Sequence, residues 1–320
     1  MSATQGKILV IRGGAIGDFI LTLPALSALR RQFPHAHLEV LGYPHIAQLA
    51  LAGGLAQRMQ SIESRAMAGF FARGGELAED LRDYFSEFDV IISYLYDPDE
   101  IFQTNIARCS QAQYISGPHR PDNREDLHAT EVFLKPLVQL AIFDAETTPR
   151  LEVDPADDAA LANGRWLAVH PGSGSDRKNW PEENWLELLH HLARESTSNI
   201  LLVGGEAERG RLERLSSALP PGRVKLMQSA PLAELARALA ACDAFVGHDS
   251  GISHLAAAVG TPSLILWGYT NESVWRPRGR ELTVLRDADG LASLPVAVVT
   301  NQVEQMLARA GSDAGGRDMA

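Results

Sequence analysis

Twice in this chain a short, largely apolar run ends in a glycine-rich loop and a helix-forming stretch. The first is Lys7-Ile8-Leu9-Val10-Ile11, followed by Arg12-Gly13-Gly14-Ala15-Ile16-Gly17-Asp18 and then residues 19–32. The second is Trp166-Leu167-Ala168-Val169-His170, followed by Pro171-Gly172-Ser173-Gly174-Ser175 and then residues 181–195. A continuous apolar run that does not alternate marks a strand buried on both faces, which parallel sheets covered by helices provide. Further strands are expected at 37–42, 90–94 and 113–115 after the first opening. After the second they are expected at 199–203, 244–246 and 263–266. Between the halves, residues 144–164 are acidic and rich in turn formers (Thr147-Thr148-Pro149, Asp154-Pro155, Asn163-Gly164), the signature of a linker.

The expected fold class is therefore α/β, with two doubly wound Rossmann-like domains facing each other across a cleft. The 320 residues suffice for two domains of about 150 each. The first is assigned to residues 1–155 and the second to 156–310. The last helix, about 297–310, is free to pack back on the first domain, and 311–320 read as a disordered tail. Ligands in such sheets bind beyond the carboxyl ends of the strands, so both glycine-rich loops should carry function.

Bulk properties remove several classes. A net charge of −11 speaks against nucleic acid as a partner, because phosphate binding needs a basic surface. Cys109 and Cys242 lie far apart without any C-x-x-C spacing, which leaves neither a cysteine metal site nor a disulfide framework and fits a reducing compartment. The polar start has no signal-peptide form, and no run reaches the roughly 20 apolar residues that span a bilayer. A cytoplasmic protein is expected, with peripheral attachment to the inner face of the cell membrane left open.

Three loops could carry chemistry. In His248-Asp249-Ser250-Gly251-Ile252-Ser253-His254 a buried strand runs into a helix of small residues, whose first N–H groups are free to meet an anion. Asp249, Ser250, Gly251 and His254 are candidates for holding a diphosphate, with capping of the helix as the plain structural alternative. Ser173 and Ser175 add hydroxyl donors and Lys178 a compact cation. Arg12-Gly13-Gly14-Ala15-Ile16-Gly17-Asp18 fails as a dinucleotide fingerprint, having Gly-Gly-x-x-Gly and no acidic residue closing the second strand, which counts against a nicotinamide-dependent oxidoreductase. Asp18 is either a helix cap or a base for a hydroxyl nucleophile. Asp97-Pro98-Asp99 has the outline of an Asp-x-Asp metal motif, but its proline makes it a turn. No metal site is expected. Arg58, Arg65 and Arg73, in the middle of the first half, are candidates for acceptor phosphates or, equally, solvated charges.

In order along the chain, Arg12-x-x-x-Ile16-Gly17-Asp18-x-x-x-x-Leu23-Pro24, His170-Pro171-Gly172-Ser173, Lys178-x-Trp180-Pro181, Gly204-Gly205-Glu206, Asp249-Ser250-Gly251-x-x-His254 and Trp275-x-Pro277-x-Gly279 resemble the heptosyltransferases of glycosyltransferase family nine. The resemblance runs from about Lys7 to Gly279. It implies a GT-B fold and an inverting, metal-independent transferase without a cofactor. Such an enzyme passes heptose from an ADP-heptose donor to a lipopolysaccharide inner-core or other glycan acceptor. By position it makes Asp18 the general base, and it gives Ser173, Ser175, Lys178, Asp249, Ser250, Gly251 and His254 the diphosphate. It gives Glu206 the donor ribose and places Ala230, in the Ser229-Ala230-Pro231-Leu232 turn, beside the adenine. Ser250 stands where the family more often has threonine. Gly13-Gly14-Ala15 replaces a serine-bearing stretch, which touches the acceptor side. The competing readings are a GT-B transferase for another nucleotide sugar and a non-catalytic nucleotide-binding homologue.

Overall fold

The structure, a computed structural model, describes residues 6–122, 124–156, 158, 161 and 164–317. It divides into two compact units, Met1–Glu152 and Val153–Ala320, with the boundary inside the stretch read as a linker. Asn163, part of one turn in that reading, lies outside the described residues.

Unit 1 is a five-stranded parallel sheet of β1 (Lys7–Arg12), β2 (His37–Gly42), β3 (Arg58–Ser61), β4 (Val90–Ser93) and β5 (Gln113–Ser116) in the order β3-β2-β1-β4-β5. Its helices are α1 (Ile16–Gln32), α2 (Pro44–Ala52), α3 (Glu79–Ser86), α4 (Ile101–Ala107) and α5 (Ala129–Leu134). Leu9, Ile11 and Leu41 from the sheet meet Phe70, Phe85 and Phe102 in one apolar cluster. β1 is central because its residues are apolar without alternation, and Leu9 and Ile11 are fully buried.

Unit 2 is a six-stranded parallel sheet of β6 (Trp166–His170), β7 (Asn199–Gly204), β8 (Val224–Gln228), β9 (Ala244–His248), β10 (Ser263–Leu266) and β11 (Leu282–Leu285) in the order β11-β10-β9-β6-β7-β8. Its helices are α6 (Glu182–Glu195), α7 (Arg209–Ser217), α8 (Leu232–Ala240), α9 (Gly251–Ala258), α10 (Glu272–Trp275) and α11 (Val296–Arg317). α6 shows why such segments become helices that lie on a sheet. Trp185, Leu188, Leu189 and Leu192 recur at helical spacing and are buried, while Glu182 and Glu183 favour its amino end.

In both units the chain winds outward from its first strand and then returns to that strand's other side. The reversals fall between β1 and β4 and between β6 and β9. Beyond the carboxyl ends of those pairs lie the two glycine-rich loops, where doubly wound sheets take ligands.

Two features differ from the sequence reading. α11 extends to Arg317, so the tail expected to lack structure from residue 311 is helical to that point, and 318–320 lie outside the described residues. Once a helix is nucleated, each further residue adds a hydrogen bond, which here offsets the cost of about 1 kcal/mol for each of Gly311, Gly315 and Gly316. The apolar face of α11 is accounted for within unit 2, whose core takes Val299, Val303, Met306 and Leu307. Three strands, β3, β8 and β11, are absent from the sequence reading. Each is a sheet edge, half-exposed and free of any continuous apolar run.

Candidate functional site

In unit 2 the carboxyl ends of β6 and β9 bring the loop from Pro171 against the start of α9. Trp180 anchors that loop. Its backbone N–H donates to His248 Nε2 at 2.8 Å, its indole donates to the Leu294 carbonyl at 3.0 Å, and its ring meets Trp185 edge-on. His248 is completely buried, and its Nδ1–H donates to the Gly172 carbonyl at 3.1 Å. With one ring nitrogen donating and the other accepting, the imidazole is held neutral in one tautomer. Burial pushes its pKa down to about 3, and burial likewise pushes His170 down to about 4.

Fixing Trp180 fixes Lys178. Its ammonium sits 2.6 Å from Asp249 Oδ2, and Asp249 is only 8% exposed. A lysine ammonium has three donors, so one bond to Asp249 holds the cation in place without exhausting it. Ser250 caps α9, its hydroxyl accepting from the Ser253 N–H at 3.4 Å, and Gly251 opens the helix. Ser253 in turn donates to the His248 carbonyl. The result is a cation beside the positive end of a helix at the switch point, an arrangement suited to a phosphate or diphosphate.

The other candidates of unit 2 are placed as follows. The Ser173 hydroxyl lies 2.7 Å from the Ser175 carbonyl and 2.8 Å from Asn179 Oδ1, sharing its one proton between them, so these two serines shape the loop that leads to Lys178. His254 is buried on the first turn of α9. Glu206 follows β7 and points to solvent, with Arg209 at 3.8 Å. Ala230 follows β8, next to Ser229, whose φ of 50° turns the chain toward α8. Glu206 and Ala230 thus share the carboxyl edge of the sheet with the Lys178–Asp249 pair but stand on neighbouring strands.

Glu208, which the sequence reading passed over, is the acid built into this edge. It accepts from the Gly205 N–H at 2.8 Å and lies so close to Gly172 that a Cβ there would meet its Cγ at 2.3 Å. The glycine of His170-Pro171-Gly172 was its one sequence signal, since only glycine admits so close a neighbour.

The corresponding edge of unit 1 is organised by Arg12, 3% exposed at the end of β1. Its guanidinium donates to the carbonyls of Asp18 at 3.2 Å, His119 at 2.9 Å and Tyr94 at 3.4 Å, and its carbon lies 4.4 Å from the centre of the Phe133 ring. Burial lowers its pKa, and the charge of Asp18, 3.7 Å away, offsets part of that. Asp18 is at the third position of α1 and accepts from the Ala15 N–H at 3.0 Å, so the capping role is real, while its carboxylate stays 26% exposed. Gly14 has φ of 95°, and a Cβ on it would come within 2.9 Å of Asp18 Oδ2. Arg12 was in plain view as the charged residue ending an apolar strand, but its role depends on loops up to 107 residues away.

The three acceptor-side arginines are not gathered. Arg58 opens β3, at the amino edge of the sheet, where it pairs with buried Glu39 at 3.6 Å and lies over the Tyr84 ring. Arg65 and Arg73 are exposed and follow the carboxyl end of β3. Asp97 accepts from the N–H groups of Phe102 and Gln103, so Asp97-Pro98-Asp99 is the turn that starts α4. Among the described residues no three of His, Cys, Asp and Glu cluster as metal ligands would, and no helix is long and apolar enough to cross a membrane.

The model of glycosyltransferase family 9 (heptosyltransferase) matches residues 128–296. Lipooligosaccharide heptosyltransferase 2 of Haemophilus influenzae is 25% identical over 315 residues, covering 89% of this chain and 89% of that protein. Among solved structures, E. coli ADP-heptose lps heptosyltransferase II superposes with a TM-score of 0.78 at 18% identity, over 95% of this chain and 99% of that one. E. coli heptosyltransferase WaaC with ADP gives a TM-score of 0.73 at 22% identity, over 94% and 99%. At these identities the structural likeness speaks for the fold alone, which is the expected GT-B.

Proposed function

The chain belongs to glycosyltransferase family 9 and is a glycosyltransferase, and from that premise we propose that it transfers heptose from ADP-heptose to a lipopolysaccharide inner-core acceptor. The observation that carries the donor half of this reading is the Lys178–Asp249 pair beside the amino end of α9 at the switch point of unit 2. Negative charge builds on the leaving diphosphate as the bond to the anomeric carbon breaks. Lys178, the Ser250 hydroxyl and the first N–H groups of α9 are the groups suited to meet that charge without a metal. ADP as the nucleotide and heptose as the sugar are supported by what the similar enzymes are named for.

On the acceptor side, Asp18 is the general base. The acceptor oxygen forms a bond to the anomeric carbon, the bond from that carbon to the diphosphate oxygen breaks, and the acceptor proton passes to the carboxylate. A single displacement of this kind inverts the configuration. A carboxylate is a weak base for a hydroxyl, so proton transfer runs late, in concert with attack.

The test is to incubate the protein with ADP-heptose and heptose-free inner-core oligosaccharide, following ADP release, product mass and anomeric configuration. Parallel runs use UDP and GDP sugars. Transfer of heptose with inversion is the expected result. Turnover only with another sugar nucleotide would overturn the donor assignment, and nucleotide binding without turnover would make the chain a non-catalytic homologue. Asp18→Asn should lower turnover roughly a hundredfold or more while leaving ADP affinity, read by calorimetry, unchanged.

A further inference from the structure

Tyr96 and His119 have no part in the reading above, yet they share the carboxyl edge of the sheet with its base. Tyr96 follows β4 and His119 follows β5, at the carboxyl edge of the unit 1 sheet. Their rings lie 4.6 Å apart, centre to centre, and are tilted by 58°. Tyr96 is 72% exposed, and His119 is exposed as well. A single exposed tyrosine needs no explanation. Two further observations set this pair apart.

One is its attachment to Asp18. One guanidinium nitrogen of Arg12 donates to the Asp18 carbonyl, and the other donates to the carbonyls of His119 and Tyr94. One rigid, buried side chain therefore sets the base and the ring pair in a common frame. The other is the stiffness of the loops. The Gly117 N–H donates to the Ser93 carbonyl at 2.8 Å, and the Tyr94 hydroxyl donates to the Phe133 carbonyl at 2.7 Å. A Cβ on Gly117 would strike the Tyr94 ring at 2.8 Å, so that position must be glycine for the two loops to lie together. An exposed aromatic pair on a stiff backbone loses little entropy when it binds.

We propose that Tyr96 and His119 form a stacking platform for a pyranose ring of the acceptor, setting its hydroxyl against Asp18. The chemistry matches on both faces. The C–H groups of a pyranose carry slight positive charge and lie well on a π face, while the tyrosine hydroxyl and an imidazole N–H can bond the ring's hydroxyls. Partial burial and the neighbouring charges of Arg12 and Arg120 lower the His119 pKa, with Asp18 opposing them. The proposal rests on the glycosyltransferase reading for the identity of the acceptor.

The test is titration of the full-length protein with heptose-free inner-core oligosaccharide, by calorimetry for binding and by acceptor KM for turnover at saturating donor. Tyr96→Ala and His119→Ala should each weaken oligosaccharide binding and raise acceptor KM roughly tenfold. ADP affinity and Tm should stay at the wild-type values. Tyr96→Phe, which keeps the ring, should restore most of the loss, and Tyr96→Leu should not. Wild-type oligosaccharide affinity in both alanine variants would overturn the platform, as would failure of the wild-type protein to bind the oligosaccharide. Binding that depends on Tyr96 in a protein without transferase activity would uphold the platform and remove the transfer reaction instead.

Discussion

In the proposed donor site the Lys178–Asp249 ion pair has two jobs. Asp249 is nearly buried, so it needs a counter-ion, and the counter-ion it has is the cation a diphosphate would meet. Lys178→Met should therefore weaken ADP binding at least tenfold and also destabilise the fold by about 2 kcal/mol through the stranded carboxylate. Adding Asp249→Asn should recover the stability but not the affinity. Calorimetry with ADP and thermal melts read the two effects separately, and a double variant with restored affinity would refute the role of Lys178. Gly14 is the corresponding lever in unit 1. Gly14→Ala places a Cβ at positive φ and against Asp18, so it should cost about 1–2 kcal/mol and lower turnover more than it lowers ADP affinity. Melts and steady-state kinetics of that variant check the expectation.

At the scale of elements, the ends of β6 and β9 carry a pH dependence. His170 and His248 are neutral in the fold, with pKa values pushed to about 4 and about 3 against an ordinary value near 6.5. Between those values the unfolded chain binds more protons than the folded one, so stability rises with pH. The stabilisation is fully present above about pH 6.5 and is lost as pH falls toward the folded values. Each histidine should cost on the order of 1 kcal/mol by pH 5.5. Urea unfolding at pH 7.5 and 5.5 measures this, and His248→Asn should flatten the dependence. Flat stability over this range in the unaltered protein would mean that these rings are accessible to protons in the fold. The strands also show what a pattern can and cannot reveal. β1, β6 and β9 are central, buried on both faces and plain in the sequence. β3, β8 and β11 are edges whose half-exposed residues, Arg58-Met59-Gln60-Ser61 for instance, follow neither an apolar run nor a clean alternation.

For the whole molecule, the proposed reaction draws on both compact units of the chain, Met1–Glu152 and Val153–Ala320. In the proposed reaction, the groups assigned to the leaving nucleotide are all in unit 2, and the assigned base and ring pair are in unit 1. ADP alone should therefore slow amide hydrogen exchange at the β6 and β9 loops, residues 172–180 and 249–254, and leave the loops after β4 and β5 unchanged. Hydrogen-exchange mass spectrometry with and without ADP reads this directly. Protection centred on residues 12–18 would relocate the nucleotide.

The sequence alone determined the fold class, the two openings, the central strands and the loops that carry Asp18, Lys178, Ser250 and Gly251. These follow from local causes: apolar runs, glycine turns and helix starts within a few residues of one another. Only the tertiary structure decided what those residues touch. It paired Lys178 with Asp249, 71 residues away, and let Trp180 and Gly172 set the tautomer of His248. It turned Glu206 to solvent and put Glu208 against Gly172, and it spent Arg58 on Glu39. It also made Arg12 the tie between Asp18 and His119. Hydrogen bonds and ion pairs act over a few ångströms in space, and nothing local in a sequence says which distant residues the sheet order will bring within that reach.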